Sequence, residues 1–117
     1  MPLSPSACNQ TDGTGFSVLH SFAGGAADGQ DPRACLILDA SGNLYGTTVN
    51  GGASDGGTVF TIRTDGTGFS VLHSFAGGAE DGWNPYASLI PDGSGNLYGT
   101  TRQGGTANLG TVFTLPA

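Results

Sequence analysis

Lysine is absent from the 117 residues, and the only basic side chains are Arg33, Arg63 and Arg102, set against eight Asp and the single Glu80. A chain of formal net charge -6 without a basic stripe has nothing to neutralise phosphates, which argues against nucleic acid and anionic membrane as partners. No apolar run approaches the roughly 18 residues needed to cross a bilayer as a helix. The opening MPLSPSACNQ has neither a positive start nor an apolar stretch, so a secretory signal is not expected there. Cysteine is scarce as well. Cys8 and Cys35 could pair, but the repeat counterpart of Cys35 is Ser88, so a disulfide is no part of the repeated design and two free thiols are the expectation.

Glycine is abundant. The 22 Gly and 6 Pro fall at fixed places between short runs of Val, Ile, Leu, Phe, Tyr and Thr, the punctuation of turn-rich β structure. No segment has the 3.6-residue period or the capped ends of a helix. The fold class is therefore all-β.

The chain says the same thing twice. Residues 11–63 recur at an offset of 53, with 38 of 53 aligned positions identical and 15 different. TDGTGFSVLHSFAGGA stands unchanged at 11 and 64, SGNLYGTT at 41 and 94, and GTVFT at 57 and 110. A period of about 50 residues fits one four-stranded propeller blade. The domain organisation expected is an extension over 1–10, one blade repeat over 11–63 and a second over 64–117.

Four strands are expected per copy. FSVLHSF (Phe16 to Phe22) alternates, with Phe16, Val18, His20 and Phe22 on one face and Leu19 with the serines on the other. Ala34 to Leu38 is a compact apolar run of the sort buried on both faces. Asp39 to Gly42 makes a tight turn into Asn43 to Thr48, where Gly46 marks a place with no room for a side chain. A glycine-rich loop leads to Thr58 to Ile62.

This run of an apolar strand, Asp, Ser-Gly-Asn-Leu-Tyr, a Gly-rich loop and Thr-Val-Phe resembles an NHL-type propeller blade. Its wording, LYGTT, then GG, GTVF and LHSF, resembles the Gloeo/Verruco (GloVer) repeat family of bacterial envelope and secreted proteins, from residue 11 to the end. The resemblance implies blade strands in chain order D-A-B-C-D-A-B-C, with the apolar run after the long loop as innermost strand A, NLYGTT as B, TVFT as C and FSVLHSF as the outermost strand D of the preceding blade. Two blades cannot close a ring alone. The architecture expected is a β-propeller closed by homo-oligomerisation, strand Phe16 to Phe22 of one subunit completing the last blade of the next. The favoured ring is a trimer of six blades, within the roughly four to eight that propellers use.

Duplication also weighs against catalysis. His20 and His73 occupy equal places in identical stretches, which favours a structural role, and no triad, phosphate loop or zinc spacing stands out. No enzyme, cofactor or metal is expected. Asp28-Gly29-Gln30-Asp31 looks like part of a calcium loop, but Asx-Gly turns account for it as well.

Ten of the 15 differences fall in two loops that open on one face of a propeller. They place Gln30, Arg33, Trp83, Asn84 and Tyr86 in the D-to-A loops and Asn50, Arg102, Gln103 and Asn108 in the B-to-C loops. Binding usually resides in loops held by a rigid scaffold. Trp83 and Tyr86 offer flat apolar faces for sugar rings, and the polar members offer hydrogen bonds to hydroxyls. A lectin-like or adhesive module outside the cell or in its envelope is the function expected. The alternative is a purely structural propeller fragment or scaffold without a small-molecule ligand.

Overall fold

The computed structural model describes residues 17–116. Its strands are β1 (Gly29–Gln30), β2 (Ile37–Leu38), β3 (Asn43–Thr48), β4 (Asn50–Gly51), β5 (Thr58–Arg63), β6 (Ser70–Ser74), β7 (Gly82–Trp83), β8 (Ile90–Pro91), β9 (Asn96–Thr101), β10 (Gln103–Gly104) and β11 (Thr111–Pro116). No helix occurs among the described residues, and all strand pairs are antiparallel.

The first large sheet has the order β2-β3-β5-β6, so a strand of the second copy's sequence finishes the sheet of the first. The second, β8-β9-β11, has three strands and ends on β11. Two short ladders, β1 with β4 and β7 with β10, tie the glycine-rich loops together. The hairpin turns are built by Asp. Asp39 Oδ1 accepts from the N–H groups of Ser41 and Asn43, and Oδ2 accepts from the Asn43 amide and the Tyr45 hydroxyl. Asp92 repeats all four contacts with Ser94, Asn96 and Tyr98.

The core lies between the two sheets. Ile37, Tyr45 and Val59 from the first pack against Leu89 and Leu97 from the second and Phe75 from the connection. Burying such side chains stabilises by about 1.5–3 kcal/mol each, and here both sides of the contact come from the same short repeat.

Three expectations about strands need correction. Of Ala34 to Leu38, only Ile37–Leu38 pairs, and burial is one-sided: Ile37 is buried while Leu36 and Leu38 are exposed. The alternation assigned to FSVLHSF fails in the second copy. Phe60 pairs with Val71 and Val59 with His73, so Leu72 is an extra, bulged residue. A bulge turns the following side chains over, and Leu72 packs against the same core as Phe75. In the first copy, residues 17–22 form no ladder, because the described residues hold no third counterpart of β5 and β11 to pair with them, although Phe22 meets Phe60 edge-on at 5.1 Å just as Phe75 meets Phe113 at 5.2 Å. Phe16 lies outside the described residues.

Cys35 also differs from expectation. It is disulfide-bonded, not a free thiol. Cys8, the other cysteine of the chain, lies outside the described residues.

Candidate functional site

The two variable loops of each copy meet through the short ladders. Gln103 pairs with Trp83 and Gly104 with Gly82, while Gln30 pairs with Asn50 and Gly29 with Gly51. Glycine is required here by space as well as by φ. A Cβ on Gly29 would lie 2.5 Å from Thr48, and one on Gly51, at φ 86°, 2.8 Å from the Gly29 backbone.

Tyr86 stands where both copies converge. It is 37% exposed, with the guanidinium carbon of Arg102 5.4 Å from its ring centroid and that of Arg33 5.8 Å away. Arg102 Nη1 donates to the Tyr86 hydroxyl at 3.4 Å. Arg33 also pairs with Asp31 at 3.2 Å, an exposed contact of about 0–1 kcal/mol. Two of the three cations of an acidic chain thus sit on one exposed aromatic ring.

Trp83 is placed differently from a free platform. Its ring lies so close to Gly56 that a Cβ there would stand 2.3 Å from it, and Gly77 approaches it from the same loop. It packs at the boundary between copies and is only partly exposed. Asn84 belongs to that boundary too. Its N–H donates to the Gly56 carbonyl at 2.7 Å, its amide nitrogen donates to the Val49 carbonyl at 2.7 Å, and its amide oxygen accepts from Trp83 Nε1 at 3.3 Å. Asn108 Oδ1 accepts the Gly104 N–H at 2.9 Å, a loop staple that Asp55 repeats on Gly51 at 2.8 Å.

Of the nine residues expected at the site, the structure therefore gathers Arg33, Trp83, Asn84, Tyr86, Arg102 and Gln103 around the second loop pair. Gln30 and Asn50 form the equivalent pair of the first copy, and Asn108 holds its own loop. Sequence reasoning alone does not identify Gly56 and Val49 as the partners of Trp83 and Asn84. The pairing of differences at Gly56/Leu109 and Gln30/Trp83 carries a signal of the first contact, since the glycine and the tryptophan stand in opposite copies.

Each repeated histidine bonds the aspartate eight residues on. His20 Nε2 bonds Asp28 Oδ1 and His73 Nε2 bonds Asp81 Oδ1, both at 3.0 Å. Each aspartate also accepts two N–H groups, from Ala23 and Gly29 or from Ala76 and Gly82. Burial alone would raise these carboxyls, but the backbone and histidine hydrogen bonds outweigh it and hold both below the ordinary value. The Asp28 carboxylate is occupied as a loop anchor.

The family model described as the Gloeobacter/Verrucomicrobia repeat matches residues 9–117. No curated protein and no solved structure matches the chain.

Proposed function

The chain belongs to the Gloeobacter/Verrucomicrobia repeat family, and on that premise we propose that it is a non-enzymatic, propeller-type repeat module that binds carbohydrate through the loop face around Tyr86. The observation that carries this reading is the convergence of Arg33 and Arg102 on an exposed tyrosine, with Gln103 alongside. An aromatic face suits the C–H side of a sugar ring, and guanidinium and amide groups donate to its hydroxyls. Tyr86, not Trp83, is the stacking residue in this reading, because Trp83 is committed to Gly56. A place outside the cell or in the envelope is supported by the lysine-free surface and by the bond at Cys35, which needs an oxidising compartment.

A glycan array on the purified protein, followed by titration of the best binder, tests the proposal. Tyr86→Ala should weaken binding several-fold, the effect of losing a stacking contact worth about 1 kcal/mol, with an unchanged melting temperature. Trp83→Ala should instead lower the melting temperature. Absence of binding across a broad panel would overturn the carbohydrate reading.

A second reading, a structural module without a small ligand, is favoured by one observation. Large apolar side chains remain uncovered on both sheets, including Leu36, Ile90 and Val112.

A further inference from the structure

The boundary between the two sheets recurs, half-built, on the outer side of each. Within the chain, Ile37, Tyr45 and Val59 are buried against Phe75, Leu89 and Leu97, with Leu72, Phe113 and Leu115 around them. Their counterparts 53 residues on, Ile90, Tyr98 and Val112, are 66%, 38% and 83% exposed. The receiving side is duplicated as well. Leu19, Phe22, Leu36, Leu44, Phe60 and Ile62, the counterparts of the six residues that receive the knobs within the chain, line a single groove of about 440 Å³.

We propose that this groove is the docking site for a second copy of the chain, which inserts Ile90, Tyr98 and Val112 as Ile37, Tyr45 and Val59 are inserted internally. The inference deepens the structural reading above and is independent of any ligand at Tyr86. The β5–β6 ladder, carried over by 53 residues, gives the register between copies: Thr111 opposite Ser21, Val112 opposite His20, Phe113 opposite Val18 and Thr114 opposite Ser17. Residues 17–22 thereby gain the ladder they lack in one chain, and the open edge of β11 is covered.

The differences between the copies fit this contact. Inside the chain, Gly56 underlies Trp83. Between copies the equivalent neighbours would be Leu109 with Gln30. A large residue on glycine becomes two residues of middling size. Leu109 could not face Trp83, since even a Cβ at Gly56 would be 2.3 Å from that ring. The second sheet of one copy is thus shaped for the first sheet of another and not for its own kind, a head-to-tail contact.

Light scattering on the full chain tests this. The wild type should show a single mass at an integer multiple, above one, of 11.6 kDa. Val112→Asp and, independently, Ile90→Asp should each return a folded species of 11.6 kDa, because neither side chain is buried in the single chain. A wild type that stays at one chain mass at all concentrations, or an assembly indifferent to both Val112→Asp and Ile90→Asp, would overturn the proposal. Either result leaves the Tyr86 site standing, and a failed glycan screen leaves this interface standing.

Discussion

Asp39 ties the β2–β3 hairpin together with four hydrogen bonds, from the Ser41 and Asn43 N–H groups, the Asn43 amide and the Tyr45 hydroxyl. Burial by itself would raise its carboxyl, but hydrogen bonds from the Asn43 N–H and amide, the Tyr45 hydroxyl and the Ser41 N–H outweigh that and bring it down to about 2. Asp92 is held low by the same donors, led by the Asn96 N–H. The reciprocal effect appears on the tyrosines: burial and then the Asp39 carboxylate raise Tyr45, and the hydrogen bond to Asp92 raises Tyr98. A carboxyl whose folded value is depressed contributes stability that is complete above its unfolded value, near 3.8, and is lost as pH falls through about 2. The protein should therefore lose stability below about pH 4. Asp39→Asn keeps one carbonyl acceptor and forfeits the second, so it should cost on the order of 1–2 kcal/mol at neutral pH. The gap between wild type and variant should close as pH is lowered from 4 toward 2, which urea unfolding at several pH values would measure. A gap that stays constant with pH would mean that the charge of Asp39 contributes nothing.

At the scale of elements, close approach of strands sets the pattern of glycines. Gly46 lies in the middle of β3, where a Cβ would stand 2.7 Å from both Leu36 and Phe60, and Gly99 repeats the arrangement against Phe113 and Leu89. Gly93 sits in a turn with nothing within 4 Å and no positive φ. Gly46→Ala should consequently destabilise by about 1–3 kcal/mol through overpacking, whereas Gly93→Ala should be neutral or stabilise by about 0.4–1 kcal/mol through the unfolded state. Denaturant midpoints for the two variants check the contrast, and equal losses would contradict it. These elements show how much could be read in advance. The bounds of β3 and the Asp39 turn were legible because NLYGTT and Asp-Ala-Ser-Gly carry strong local preferences, and the tight spot at Gly46 followed from a glycine inside a strand. The β1–β4 and β7–β10 ladders were not legible, since they pair glycine-rich backbone whose side chains carry no period. The bulge at Leu72 also left no local mark, because it arises from the mismatch between β5 and β6, which lie in different copies of the repeat. At the loop face, Tyr86 and Arg102 could be found as differences between copies, but the burial of Trp83 depends on a glycine 27 positions earlier, in the other copy.

For the whole molecule the decisive quantity is how much of its apolar surface a single chain can cover. One boundary between sheets is complete, and the two halves of another are left open at Leu36 and Leu44 on one side and Ile90 and Val112 on the other. Small domains bury a modest share of their surface and are correspondingly marginal, so a second boundary of the same composition would add a large fraction of the total stability. If the open halves are closed by further copies, folding and association are linked, and the melting temperature must depend on concentration. A tenfold rise in protein concentration changes the free energy of one association step by about 1.4 kcal/mol. Shared over the chains of a small ring, that is on the order of 1 kcal/mol per chain, and such an increment raises the melting temperature of a domain this size by about 4–8 °C. Val112→Asp should abolish the dependence and melt at one temperature throughout, below the wild type at high concentration and converging on it at low. Calorimetric scans over two decades of concentration would show both curves. A wild-type melting temperature that does not move across that range would mean that the single chain is stable with its two open faces in water, and that the exposed Ile90 and Val112 are tolerated, not used.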